Sequence, residues 1–455
     1  MLLLSLSLLF HSPTLPGGEP DRTAELYAEH CAGCHGPGGR EFRNRTDWMY
    51  GGSAHEVRRS IAEGIAEEGM AGFSGMLTAG EVDALAAWVM DVPGGYVAAI
   101  GAGDAGGVRL DTVVAGLEVP FGLAELPDGS WLVMERPGRL VHAVDGVVRA
   151  VDGVPGDVMA RGQGGFTDVA VWEDAGAVWV YLTWSKVHPD DDRLSTTALG
   201  RGRWNAGARR LDGFEELFVA EPWSRNRHHY GGRIAFDGAG YLYLTVGDRG
   251  EEDRFPADSA AGPGKVHRLF PDGRIPGDNP WKGADGRPLS AYSRGHRNPQ
   301  GLTVHPGTGA VWTHEHGPKG GDEINIPVAG GDCGWPRTTY GRNYNGTEIS
   351  EFTTLPGIRT PLHYWLPSIG PCGMAFIAGG GWPDARQGAL LVGSLRFEYL
   401  ELLKLDGEQV VARERLLDGV GRVRSVVRGR DGTVYVAIER PGTDGFVARV
   451  VPLPR

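Results

Sequence analysis

Ile234-Ala235-Phe236-Asp237-Gly238, followed after two residues by Tyr241-Leu242-Tyr243-Leu244, sets an apolar run, an Asp-Gly turn and an apolar-aromatic run in a row. Asp-Gly between two β-rich runs is a hairpin signal, because glycine accepts the positive φ that a tight turn demands. The same order, with Asp-Gly or a related turn, recurs along the chain. It appears at Gly122-Leu123-Ala124-Glu125-Leu126-Pro127-Asp128-Gly129 before Trp131-Leu132-Val133, and at Val169-Ala170-Val171 before Val178-Trp179-Val180-Tyr181. It returns at Leu302-Thr303-Val304-His305-Pro306 before Ala310-Val311-Trp312, and at Met374-Ala375-Phe376 before Leu390-Leu391-Val392. The last copy is Val426-Val427, with Asp431-Gly432, before Val434-Tyr435-Val436. Six such units at blade-like spacing predict an all-β six-bladed β-propeller over 109–455. A β-sandwich or barrel with incidental Asp-Gly turns is the competing reading.

At 455 residues the chain exceeds what one core holds, and its 73 glycines and 30 prolines suit many short strands joined by turns. A formal charge of −12 argues against a nucleic-acid partner, which wants a basic face. The run Leu2 to Phe10 is too short to span a bilayer. It resembles the apolar part of an export signal, although a basic flank and a small-residue cleavage site are missing. Residues 1–19 are therefore read as signal-like or disordered, and no stable membrane insertion is expected. Of the four cysteines, Cys333 and Cys372 read as packed, unpaired thiols, with a bridge between them as the alternative.

The other two cysteines lie in Cys31-Ala32-Gly33-Cys34-His35. C-x-x-C-H is the spacing at which two thiols attach to haem vinyl groups while the histidine ligates iron. A structural zinc site would need four ligands, and no second Cys/His pair follows nearby. The region around it reads as helical. Thr23 to His30 is amphipathic; Val57, Ile61 and Ile65 form one helical stripe. Thr78-x-x-Glu81 is a capping box that opens a helix with Val82, Leu85, Ala86 and Val89 on one side. Residues 20–92 are thus predicted to form a small all-α cytochrome c domain preceding the propeller. The segment resembles class I cytochromes c, whose second axial ligand lies in a Gly-Met loop; by that resemblance Met70 is the ligand, with Met76 as the rival. A covalent haem c predicts a periplasmic or secreted protein. The Gly/Ala-rich stretch 93–108 reads as a linker.

Polar residues cluster beside the propeller strands: Gly162-Gln163-Gly164-Gly165, His228-His229-Tyr230-Gly231-Gly232-Arg233, and Gly247-Asp248. Further on come Gly295-His296-Arg297-Asn298-Pro299-Gln300-Gly301, the run Glu315 to Asn325, Gly334-Trp335-Pro336, and Arg422 with Arg424. Glycines beside them allow close backbone approach to a ligand. A histidine, a carboxylate and several arginines on converging loops suit a base, its orienting partner and anion clamps.

This pattern resembles the soluble quinoprotein family of glucose/sorbosone (aldose sugar) dehydrogenases from about Gly116 to Pro452. The resemblance implies oxidation of an aldose at C1 to the lactone, with pyrroloquinoline quinone (PQQ) and calcium. It implies His229 as general base, Asp248 as its partner, and Gln163 beside both. Arg297 and Asn298 are implied to face the quinone carbonyls, and Arg422 and Arg424 its carboxylates. The carbonyls of Gly317 and Pro318 are implied calcium ligands, Asp322 and Glu323 part of a second calcium site, Trp365 an aromatic wall of the sugar site, and Ser368 a cofactor contact. Arg396 stands where the family has lysine, and Cys372 where it has serine. The expected partners are a small-molecule sugar and a downstream electron acceptor, either a cytochrome or an oxidase. A calcium-dependent propeller hydrolase of lactonase type, or a non-catalytic propeller docked to a cytochrome, are the other readings.

Overall fold

The computed structural model describes residues 22–35, 54–65, 70–91, 99–100 and 107–453. The apolar N-terminal run and most of the linker stretch lie outside the described residues, and so does the Cys34 side chain. The chain divides into two units, Met1–Tyr96 and Val97–Arg455.

In the first unit, helices α1 (Arg22–His30), α2 (Ala32–His35), α3 (Ala54–Glu63) and α4 (Ala79–Asp91) share one apolar core. Leu26, Tyr27, Val57, Ile61, Val82, Leu85, Ala86 and Val89 are all buried in it. The capping box forms as the spacing requires: Glu81 Oε2 accepts the Thr78 backbone N–H at 2.9 Å, and Thr78 Oγ1 accepts the Glu81 N–H at 3.3 Å. Ile65 departs from the predicted stripe. Gly64 takes φ 78° and ends α3, after which Ile65 pairs with Met70 in a short antiparallel hairpin. A side chain at Gly64 would run into the Met70 carbonyl oxygen at 2.6 Å, so only glycine turns the chain there. Among the described residues the unit is therefore helical with one small hairpin.

The second unit is a six-bladed propeller. Its innermost strands are Pro120–Glu125, Phe166–Asp174, Gly231–Phe236, Pro299–Val304, Pro371–Phe376 and Arg422–Arg428, each opening a sheet of antiparallel neighbours. Each of these strands touches the innermost strand of the next blade, closing a ring. All six sequence repeats are the inner hairpins of these blades. The ring is fastened by Val108–Leu117, which pairs with Gly445–Pro452 and completes the sixth sheet from the opposite end of the chain. Ala99–Ile100 adds a parallel edge to the fifth.

Apolar layers fill the gaps between blades. Met134 and Leu132 pack with Phe166 and Leu182 between the first and second; Leu391 and Ala375 pack with Val426 and Val436 between the fifth and sixth. Burying each such leucine contributes about 1.5–3 kcal/mol.

One irregularity repeats in every blade. The inner strand slips register near its start, leaving Phe121, Thr167, Gly232 with Arg233, Gln300, Gly373 and Arg424 outside the ladder. Bulges re-aim side chains at a sheet rim. Here they sit at the end of the ring where the polar loops converge.

Candidate active site

His229 precedes the third inner strand with φ 54°, a left-handed conformation uncommon outside glycine. Gln163 Oε1 accepts its backbone N–H at 2.9 Å. Its ring Nδ1 lies 2.7 Å from Asp248 Oδ1. Asp248 is fully buried and also accepts the Gly250 N–H on Oδ1 and the Trp335 Nε1–H on Oδ2, both at 2.7 Å. A carboxylate only accepts, so Nδ1 carries the imidazole proton and Nε2 keeps its lone pair. Burial, aided by the Arg297 charge, pushes His229 down to about 4 against the opposing pull of Asp248. Burial would push Asp248 up, but the His229 and Gly250 hydrogen bonds and the Arg297 charge outweigh it and hold the carboxyl low. At neutral pH the pair rests as neutral imidazole and carboxylate. That is the resting state of a general base.

Arg297 is buried beside this pair. Its Nη1 donates to the carbonyls of Gly317 (2.8 Å) and His316 (3.0 Å), and its guanidinium lies 5.2 Å from the Trp335 ring. Glu315 Oε2 accepts its backbone N–H at 2.6 Å. Asn298 Oδ1 accepts the Gly231 N–H and Gln300 Nε2, each at 3.2 Å. From the sixth blade, Arg424 Nε donates to Glu439 Oε2 at 2.6 Å, and Arg422 Nε stands 3.2 Å from the same oxygen. Burial pushes Arg424 below the usual guanidinium range. Ser368 Oγ donates to the Pro318 carbonyl and Arg396 Nη1 to the Ser368 carbonyl, both at 3.2 Å. The fold thus links Gln163, His229, Asp248 and Arg297, and joins Arg297 to Gly317 and Ser368 to Pro318 and Arg396.

Two expected residues have other work. Trp365 does not wall a sugar site. It is fully buried among Trp312, Ile324 and Met374, and its indole N–H donates to Glu401 at 2.8 Å inside an ion pair with Arg413. Side chains alternate along a strand, so its neighbour Tyr364 is the exposed one. Asp322 spends both carboxylate oxygens on backbone N–H groups, of Gly317 and Gly370 at 2.8 Å each, and so shapes the Gly317 loop. Burial and the Glu315 charge push the Glu323 carboxyl well above its usual range. Among the described residues no three His, Cys, Asp or Glu side chains gather as a metal cluster.

The donor set fits the groups that the family resemblance implies. The Nε of Arg297 is buried without a hydrogen-bond partner, which leaves one charged donor for a further acceptor. The Gly317 and Pro318 carbonyls are hard oxygen donors suited to calcium. In the helical unit, Met70 packs against the core that also receives Cys31, and Tyr27 Oη donates to the His35 carbonyl at 3.2 Å. Met76 is 64% exposed. The thioether facing that apolar core is therefore Met70.

Sequence reasoning assigned no role to the residues that hold the site from behind. Trp335 was visible only as part of a motif, and its partner Asp248 lies 87 positions away. Glu315 and Glu439 look like surface charge until the strands pair.

The fold and site define a six-bladed propeller with a neutral histidine on a buried carboxylate beside several guanidinium groups. The chain belongs to the glucose/sorbosone dehydrogenase family, whose model ("Glucose / Sorbosone dehydrogenase") matches residues 117–449. Residues 18–89 match the cytochrome family described as "Cytochrome C oxidase, cbb3-type, subunit III". Aldose sugar dehydrogenase YliI of Escherichia coli (strain K12) is 36% identical over 352 residues, covering 76% of this chain and 93% of that protein. A crystal structure of a glucose dehydrogenase aligns at 40% identity with TM-score 0.71, over 76% of this chain and all of that one. The PQQ-bound aldose sugar dehydrogenase of Streptomyces coelicolor aligns at 26% identity with TM-score 0.63, over 76% of this chain and 98% of that one. No helix among the described residues is long and apolar enough to cross a membrane.

Proposed function

We propose that this chain is a quinohaemoprotein that oxidises an aldose at C1 to its lactone with PQQ and passes the electrons to its own c-type haem. The observation that carries the reading is the His229–Asp248 pair, with a free Nε2, set beside the buried and incompletely bonded Arg297. When bound, PQQ supplies a quinone carbon that takes up hydride, and haem c carries electrons one at a time. Everything else is the work of the chain. His229 Nε2 takes the C1 hydroxyl proton, while Asp248 fixes the tautomer and steadies the imidazolium that results. Arg297 and Asn298 would hold the quinone oxygens where negative charge grows, and pre-placed donors there would lower the barrier. Arg422, Arg424 and Arg396 would hold carboxylates, a task suited to the guanidinium fork. The Gly317 and Pro318 carbonyls would hold calcium, and Cys31, Cys34, His35 and Met70 the haem. Covalent haem at Cys31 and Cys34 would suit an exported protein, periplasmic or secreted.

Apo-protein titrated with PQQ and calcium tests the reading. Aldose-dependent reduction of an artificial dye should rise to a stoichiometric end point with PQQ. Calcium-dependent lactone hydrolysis without PQQ would contradict it.

A further inference from the structure

Arg233 follows Gly231-Gly232 in the third inner strand and is 3% exposed. Its guanidinium reaches every other blade. Nε donates to the Gln300 carbonyl of the fourth at 2.9 Å, and Nη1 to the Phe121 carbonyl of the first at 3.3 Å. Nη2 donates to the Arg424 carbonyl of the sixth at 2.7 Å and to Cys372 Sγ of the fifth at 3.1 Å. Asp168 Oδ1 of the second blade stands 3.5 Å from Nη1, and its Oδ2 accepts the Ile234 N–H at 3.0 Å.

The three carbonyls belong to residues that the bulges leave out of the ladder, so they have no strand partner at the axis. Buried carbonyls without a partner are costly. A fork of five donors is the side chain that can serve several at once. Two left-handed glycines aim it there, Gly231 at φ 65° and Gly232 at 96°. A Cβ at Gly232 would strike Thr167 Oγ1 at 2.2 Å.

What Arg233 touches is the floor of the proposed cofactor site. Arg424 is itself a clamp. The Gln300 side chain holds Asn298. Cys372 donates to the Arg424 carbonyl at 3.0 Å and follows Pro371, whose carbonyl bonds His316 beside Gly317. On its other side Arg233 lines, with Asp168, a cavity of about 540 Å³ that continues along the far ends of the inner strands to exposed Arg428.

We infer that Arg233 is a positioning residue for the cofactor clamps, an axial hub that fixes Arg424, Asn298 and Cys372 in one frame. The inference rests on the proposal that these clamps hold PQQ. Its test uses the full chain with Arg233→Ala and Arg233→Lys. Alanine leaves a guanidinium-sized void that the far cavity opens to solvent, so methylguanidinium can refill it, with methylammonium as control. Melting of the apo-protein and the PQQ dissociation constant are measured with and without each additive.

In Arg233→Ala, PQQ affinity should fall roughly tenfold or more, the scale of losing a charged hydrogen bond at a clamp. Methylguanidinium should raise the apo melting temperature and restore most of that affinity; methylammonium should do neither. Lysine, with three donors, should recover only part. Wild-type PQQ affinity in a folded Arg233→Ala or Arg233→Lys protein overturns the inference, and so does melting rescue without affinity rescue. If the alanine variant does not fold, the lysine variant decides by the same affinity criterion. Failure of the wild type to bind PQQ would instead defeat the proposed function, while the apo melting still reports the hub.

Discussion

Asp248→Asn removes one charge and exchanges one acceptor for a donor where three N–H groups converge. Asp248 takes His229 Nδ1 and the Gly250 N–H on one oxygen and Trp335 Nε1 on the other. An amide can satisfy only one side. With its oxygen toward His229, its NH2 opposes the Trp335 N–H. With its oxygen toward Trp335, its NH2 faces His229 and forces Nδ1 to accept, which moves the imidazole proton to Nε2 and blocks the base. The first arrangement forfeits a charged hydrogen bond of about 1.5–3 kcal/mol, a factor of about 10–100. The second removes general base catalysis instead, a loss within about 10²–10⁴. We therefore expect kcat/KM to fall by between about 10 and 10⁴, according to which arrangement the amide takes, in a dye-linked assay with saturating PQQ and calcium. The acid limb of the pH profile should also move below the His229 value of about 4, because the charge supporting the imidazolium is gone. A folded Asp248→Asn enzyme within threefold of wild type, with an unmoved acid limb, would refute the reasoning.

His229 is pushed down to about 4, and His267 and His314 to about 3, all chiefly by burial, so each is neutral when folded but protonated when unfolded below about 6.5. Folding stability of the apo-protein should fall as pH drops from 6.5 toward these values, by up to about 1.4 kcal/mol per pH unit per group. His296 is opposite. Burial pushes it down, but the neighbouring Cys333 and Glu315 win and raise it to about 10, so its contribution is complete below 6.5 and lost as pH rises from there toward 10. Urea melts across that range should peak near 6.5; rising stability down to pH 4 would contradict the burial of neutral imidazoles. Met70→Ala should lower the haem midpoint potential while Met76→Ala leaves it unchanged, read by spectroelectrochemistry. Glu401→Ala, which removes the carboxylate that pairs with buried Arg413 and accepts the Trp365 N–H, should destabilise the propeller by about 3–5 kcal/mol in denaturant melts.

The blades were legible because a hairpin carries its signal locally, in two apolar runs about an Asp-Gly or related turn, and all six inner hairpins were found that way. The chain closure was not, since Val108–Leu117 pairs with Gly445–Pro452 across the whole sequence. Site legibility divided along the same line. His229, Asp248 and Arg297 stand in glycine-rich motifs, whereas Trp335, Glu315 and Glu439 act through contacts that only the ring creates. Trp365, which the resemblance implied as a sugar-site wall, faces the core instead, because period-two alternation decides whether an aromatic on a strand faces core or solvent. Arg233 lay in plain sight within Tyr230-Gly231-Gly232-Arg233, but a bond to every other blade cannot be read from one of them.

If sugar oxidation in the propeller feeds the haem of the same chain, rapid anaerobic mixing of aldose with the full chain, loaded with PQQ and calcium, reads it through the haem α-band. Haem reduction should follow aldose addition at a rate independent of protein concentration, and His229→Ala should abolish it while leaving the haem spectrum intact. An oxidised haem in a protein that still reduces dye with aldose would contradict it.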